Sequence, residues 1–329
     1  MVSSNLEGSR VTVAGAAGFI GTNLIERLLE SGCKVRGLIH NNPPQILRPE
    51  VDYVEADLTK EDQALRALQD TDIFVMAAAN SSGAAVMESR PLVHLTPNVV
   101  MNAVTLDAAY QNGVEKYCFI SSNTVYPESE HPMDELAVTG HFFDKYQVVA
   151  EMKWFSEKMV SFYSTKVARP MKTLIVRPGN LYGPFDKFAK EESKVVPAII
   201  RRALERDNPF LVWGDGSDVK DFLYISDFVD AMALALASDE ENLTLNIASG
   251  DSVVLTDIIQ EVLRLTGHGD ALVKYDLSKP TMIPTRLINV QKMIRLLGWA
   301  PSVGLVDGLQ LTIDWYSASL KARKGEPTR

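Results

Sequence analysis

The string Gly15-Ala16-Ala17-Gly18-Phe19-Ile20-Gly21 is the first group of residues with an evident chemical use. It follows the short apolar run Val11 to Ala14 and opens Phe19 to Leu29, whose apolar residues recur at helical spacing. A strand, a turn and a helix in that order bring bare backbone and a helix N-terminus up to a pyrophosphate. A glycine triplet alone marks only a tight turn that needs positive φ. With the flanking elements, Gly15, Gly18, Phe19, Ile20 and Gly21 point to a dinucleotide. The next apolar run, Val35 to Ile39, should end beside the adenosine ribose. An NAD site normally holds an acid there, whereas Leu38-Ile39-His40-Asn41 supplies none. No carboxylate would repel a 2′-phosphate, so NADP is expected ahead of NAD, with His40 and Arg36 as its candidate partners.

These groups need elements to position them, and the chain supplies an alternation. Apolar strands fit Val51 to Val54, Ile73 to Met76, Tyr117 to Ile120 and Leu174 to Val176. Helical patterns lie between them at Lys60 to Gln69, Asn98 to Asn112 and Phe143 to Tyr163. Such alternation predicts an α/β fold, a Rossmann doubly wound parallel sheet covered by helices. After Pro178 the chain becomes glycine-punctuated, with helices expected at Lys194 to Glu205, Ile225 to Ser238 and Thr256 to Thr266. Residues 1–178 are read as the NAD(P)-binding domain and 179–329 as a smaller mixed α/β substrate domain. The two interleave through a strand returning near residues 243–249.

Composition narrows the function classes. A hydrophobic fraction of 46% and a charged fraction of 23% are those of a globular protein, which excludes a disordered or fibrous chain. The formal charge of −9 disfavours nucleic acid, whose phosphates draw on a basic surface. Cys33 and Cys118 are too few for a disulfide framework and lack metal-ligand spacing, so no metal is expected and a cytoplasmic location is. Neither a signal peptide nor a membrane span is visible, and the polar tail from Lys321 to Arg329 should fray.

The glycine spacing resembles that of the extended short-chain dehydrogenases/reductases, which include NAD(P)-dependent nucleotide-sugar epimerases and reductases. Further strings resemble that family in its own order. Asp57-Leu58 sits where such enzymes hold the adenine, and Ala77-Ala78-Ala79 matches the stretch that passes along the cofactor. Ile120-Ser121-Ser122-Asn123-Thr124-Val125-Tyr126 resembles the catalytic serine segment. Arg177-Pro178-Gly179-Asn180-Leu181-Tyr182-Gly183-Pro184 is similar to the nucleotide-sugar signature. Asp221 to Asp227 and Leu297 to Pro301 resemble two C-terminal landmarks. Taken alone, Asp57 is equally a helix cap and the alanines equally packing.

The resemblance implies a hydroxyl on the reacting oxygen, a tyrosine acid or base, and a lysine that lowers the tyrosine pKa and holds the nicotinamide ribose. Ser122 fits the first role, with Thr124 two positions on. The usual tyrosine-x-x-x-lysine pair is missing, because Val149 stands four before Lys153 and Trp154 four before Lys158. Lys153 is read as the family lysine from its distance to Tyr163, and Tyr146 lies seven residues ahead of it. Along a helix, seven residues return to within about 20° of one face and span about 10.5 Å, so the two side chains can line one cleft. The alternative is a packing Tyr146 and an enzyme without the usual acid.

By the same resemblance Asn180, Lys220 and Arg286 should meet a nucleotide-sugar diphosphate. Lys220 replaces an arginine, keeping the charge and losing the bidentate fork. Val195 to Arg202 is similar to a segment of the GDP-fucose synthase group, which tilts the base towards guanine. Thr124 and Phe185 stand where that group keeps the cysteine and histidine of double epimerisation, and neither is an acid or base near neutral pH. Asn123-Thr124-Val125 also lacks the Asp-Glu pair of 4,6-dehydratases. What remains is hydride transfer at a single sugar carbon, C4, by a 4-ketoreductase or 4-epimerase. A non-catalytic NAD(P) sensor and a reductase of a non-sugar ketone are the other readings. A homodimer through the helices at Asn98 to Asn112 and Phe143 to Tyr163 is implied, with no membrane or nucleic-acid partner.

Overall fold

The computed structural model describes residues 6–80, 92–190, 192–278 and 283–323. Strands and helices alternate first: β1 (Arg10–Ala14), α1 (Phe19–Glu30), β2 (Lys34–Ile39), β3 (Asp52–Glu55), α2 (Glu61–Ala67), β4 (Ile73–Met76), α3 (Leu92–Asn112), β5 (Lys116–Ile120), α4 (Gln147–Thr165) and β6 (Lys172–Pro178). Shorter pieces follow: β7 (Asn180–Tyr182), α5 (Val195–Leu204), β8 (Phe210–Trp213), β9 (Val219–Lys220), β10 (Phe222–Tyr224), α6 (Ile225–Ala237) and β11 (Asn242–Ile247). The chain ends with β12 (Val253–Val254), α7 (Leu255–Leu265), β13 (Val273–Asp276), β14 (Thr285–Arg286), α8 (Gln291–Leu297) and α9 (Leu305–Arg323).

Seven strands form one parallel sheet in the order β11-β6-β5-β4-β1-β2-β3. Their continuous apolar runs follow from burial on both faces. Val11, Val13, Val75, Cys118 and Val176 face one core, which α1 and α6 close. Leu38, Phe74, Met76, Tyr117, Phe119 and Ile175 face the other, beneath α2, α3 and α4. The strand order reverses between β1 and β4, and in such sheets ligands bind beyond the C-terminal ends of the strands at that point. The glycine turn, the 77–79 alanines and the serine segment leave β1, β4 and β5 at that edge.

Three departures from the expected elements matter. Helix α3 starts at Leu92, six residues early, with Pro97 in its first turns. Helix α4 starts at Gln147 rather than Phe143, because Asp144 to Tyr146 wind into a tighter 3-10 turn. Helix α9 takes in Lys321 to Arg323 of the tail expected to fray, and the rest of the tail lies outside the described residues. Beyond the main sheet, β9 pairs antiparallel with β12 and parallel with β14, bringing Lys220 and Arg286 into register. That small sheet is what joins the two basic residues.

Candidate active site

The glycine turn is built so that no side chain fits in it. Gly15 has φ +78°, and a Cβ there would lie 2.9 Å from the backbone of Ala78. Gly18 is the N-cap of α1 and donates its N–H to the Gly15 carbonyl at 2.9 Å. Gly21, in the first turn, packs its bare Cα against that same carbonyl, where a Cβ would overlap the oxygen. The first-turn amides, those of Phe19 and Ile20 among them, therefore point outward without helical acceptors. A cradle that a Cβ would fill, ending in free N–H groups at a helix N-terminus, fits a dinucleotide pyrophosphate.

Just after β5, two strands from β1, Ser122 caps a short 3-10 turn, its oxygen accepting the Thr124 N–H at 3.1 Å and the Thr124 hydroxyl at 3.0 Å. The two hydroxyls are thus one unit, with Thr124 donating to Ser122. Lys153 reaches back from α4 and donates to the Ile120 carbonyl at 2.8 Å, with its ammonium 4.7 Å from the Phe119 ring centre. Burial pushes its pKa down to about 8, against the pull of the Glu157 carboxylate. One turn further along α4, Glu157 accepts from the Ser121 hydroxyl at 2.5 Å and pairs with Arg177 at 2.7 Å, both members being 6% exposed. This clasp ties α4 to β5 and β6 beneath the serine segment.

Tyr146 is placed differently from the expectation of one continuous helix. It ends the 3-10 turn, so the uniform α-helical rise to Lys153 does not apply, and no hydrogen bond joins the two among the described residues. Its ring lies instead against Arg286, whose guanidinium carbon is 4.9 Å from the ring centre. Burial raises the Tyr146 pKa; Arg286 opposes the rise and Asp218 adds to it.

Arg286 is 5% exposed, and one of its terminal nitrogens donates to the Asn123 side chain at 3.1 Å. Its Nε and Nη2 have no partner among the described residues. Burial works against its charge and lowers its pKa, with Tyr146 and Glu128 acting the other way, and the guanidinium stays charged. Lys220 beside it is paired with Asp218. Asn180 commits one amide proton to the carbonyl of Asp221, the residue after Lys220, at 2.7 Å. Arg286, Lys220 and Asn180 are brought to one region, and Asn123 links it to the Ser122–Thr124 turn. A buried arginine with two donors unpartnered among the described residues is suited to an anion.

Residues 11–248 match the NAD dependent epimerase/dehydratase family. The chain belongs to that family. A GDP-L-fucose synthase of Sinorhizobium fredii is 30% identical over 323 residues, covering 96% of this chain and 98% of the relative. A dTDP-4-dehydro-6-deoxy-D-allose reductase of a Streptomyces species is 26% identical, covering 96% and 98%. The solved UDP-glucose 4-epimerase of Thermus thermophilus in complex with NAD superposes with a TM-score of 0.83 at 26% identity, covering 94% of this chain and 99% of that one.

The chain is an NAD(P)-dependent enzyme, and the residues expected at the adenosine lie after β2 and β3. Asp57 accepts the N–H and hydroxyl of Thr59 at 3.0 and 2.6 Å, which lowers its pKa, and its own N–H is held by Gln63 at 2.8 Å. It thus shapes the turn into α2, while Leu58 is buried beside it. His40 is exposed and near enough to Asp57 to act on its charge. Arg36 is not free for a phosphate: it pairs with Asp52 at 2.8 Å and donates to the Ala67 and Gln69 carbonyls. Sequence reasoning missed Asn123, Gln45 and Lys194. Gln45 bridges the carbonyls of Ala17 and Phe185, and the Lys194 ammonium sits 5.4 Å from the Phe19 ring centre beside the glycine turn. None of the three carries a local signal, since each acts through a residue distant in sequence.

Proposed function

We propose that this chain is an NADP-dependent nucleotide-sugar enzyme, either a 4-ketoreductase working with NADPH or a 4-epimerase working with the oxidised cofactor, with GDP-linked sugars as the favoured class. The buried, half-partnered Arg286 beside Lys220 carries the reading, because its two free donors match a diphosphate close to the Ser122–Thr124 hydroxyls. The names of the relatives support the substrate class, and the GDP-sugar relative supports guanine. The bound nicotinamide supplies or takes the hydride at C4. Ser122 and Thr124 hold the C4 oxygen, Tyr146 gives or takes its proton, and Lys153 holds the nicotinamide ribose. Gly15, Gly18, Phe19, Ile20 and Gly21 hold the pyrophosphate, and Ala77 and Ala78 line its path. Asp57, Leu58 and His40 border the adenosine. Asn180, Lys220 and Arg286 hold the substrate, within a part formed by residues 179–329 apart from β11. The missing acid after β2 supports NADP over NAD.

The protein is proposed to act in the cytoplasm as a homodimer. No helix among the described residues is long and apolar enough to cross a membrane. Exposed Val100 on α3, with Phe155 and Phe162 on α4, gives two adjacent helices an apolar surface suited to a second copy. The deciding experiment follows cofactor oxidation with GDP-, dTDP- and UDP-linked 4-keto-6-deoxy sugars, using NADPH and NADH in parallel. Turnover with a GDP-sugar and NADPH is expected. Turnover only with ketones lacking a nucleotide, or a clear preference for NADH, would overturn the corresponding part.

A further inference from the structure

We infer that Arg286, rather than Lys153, is the cation that sets the ionisation of Tyr146, so that one arginine both binds the diphosphate and positions the proton transfer. The inference rests on the proposed role of Tyr146. A tyrosine titrates near pH 10 in water, and burial moves it further up. To work near neutral pH it needs a close positive charge. Lys153 is engaged elsewhere, its ammonium donating to the Ile120 carbonyl and lying over the face of Phe119, and it is not among the charges that act on Tyr146. The guanidinium of Arg286 lies 4.9 Å from the centre of the Tyr146 ring, over which a phenolate spreads its charge. It is fixed there by the β9–β14 register and by its bond to Asn123. Of the other charged groups near Tyr146, Asp218 opposes Arg286 but is paired with Lys220, and Asp144 and Lys145 on the same turn are exposed.

The arrangement couples binding to chemistry with a definite sign. An anion on the free Nε and Nη2 of Arg286 partly cancels its charge, so the Tyr146 phenol holds its proton more tightly. Substrate binding therefore favours the protonated phenol, which is the form that donates to the C4 oxygen when a ketone is reduced.

The test is a phenolate absorbance titration of the full chain, with Tyr146→Phe subtracted to isolate the one tyrosine. Arg286→Met should raise the Tyr146 pKa by about one unit or more, and Arg286→Lys should restore most of the difference. Lys153→Met should leave it within about 0.3 units, far below the effect of a charge in contact. Inorganic pyrophosphate should raise it in the wild type and not in Arg286→Met. An unmoved titration in Arg286→Met, or a one-unit rise in Lys153→Met, would overturn the inference. If Arg286→Met does not fold, the Lys153→Met and pyrophosphate arms decide by the same criteria. The readout needs no turnover, so failure to find a nucleotide-sugar substrate and failure of this inference are separate results.

Discussion

Replacing Gly21 by Ala isolates the cofactor cradle from the rest of the enzyme. The new Cβ would lie 2.8 Å from the carbonyl carbon of Gly15 and closer still to its oxygen, whereas real Cβ contacts stay above 3.0 Å. The carbonyl must retreat by roughly an ångström, because a packed interior leaves no slack. It cannot do so freely. It accepts the Gly18 N–H at 2.9 Å, and Gly15 is backed by the Leu38 carbonyl and the Ala77–Ala78 backbone. The turn therefore opens, and the outward amides lose their aim at the pyrophosphate. A hydrogen bond to a charged group is worth about 1.5–3 kcal/mol, so losing one or two weakens NADPH binding by about tenfold to several hundredfold or more. Global stability should change less, since overpacking costs about 1–3 kcal/mol while Ala gains about 1 kcal/mol over Gly in a helix. Fluorescence titration with NADPH reads the first effect and thermal melting the second. Gly269→Ala, where a Cβ meets nothing within 4 Å, is the control. NADPH affinity within about twofold of wild type in Gly21→Ala would refute the cradle.

Tyr146→Phe should lower kcat by about 10² to 10⁴ while leaving NADPH affinity nearly unchanged, which steady-state kinetics and titration separate; near wild-type kcat would return the proton to the hydroxyls or to water. Lys153 should impose a pH limit: the ammonium that holds the ribose is present below about pH 8 and lost above it, so NADPH affinity should fall as pH rises through that value. The same depressed pKa makes Lys153 bind fewer protons in the folded state than in the unfolded chain between about pH 8 and 10.4, so this group contributes stability that rises with pH across that window, and the wild-type minus Lys153→Met difference should show that rise. Glu157→Gln should destabilise the fold by about 3 kcal/mol in denaturant titrations, because Arg177 is left buried without its carboxylate; a loss below about 1 kcal/mol would show that the clasp is unimportant.

The main sheet was legible because strands buried on both faces must be apolar throughout, and turn residues break those runs from Val11 to Ile39. The glycine turn was legible for a related reason, since Gly15 and Gly21 leave no room for a Cβ and Gly18 leaves little. Ser122 and Thr124 were readable only because Ile120 to Tyr126 resembles the family's serine segment, since a strand end alone suggests no more than a turn. What the sequence hid lies in contacts between distant segments. Arg286 and Asn123 are 163 residues apart, and only the two-residue strands β9 and β14 bring the arginine to the site. Tyr146 was assigned to a helix face because its neighbours are compatible with a helix, but the turn winds tighter before Gln147. Arg36 seemed free because Asp52, its partner across β2 and β3, is invisible as a partner until the strands pair.

The most direct test of the reaction is isotopic. NADPH carrying deuterium at the transferable position is incubated with a GDP-linked 4-keto-6-deoxy sugar, and the product is examined by mass spectrometry and NMR. One deuterium at C4 of a reduced nucleotide sugar is the expected result, with the label absent from Tyr146→Phe at matched times. A product labelled elsewhere on the sugar would contradict hydride transfer at C4 in this site, and no labelled product from any nucleotide-linked ketone would contradict the reductase reading.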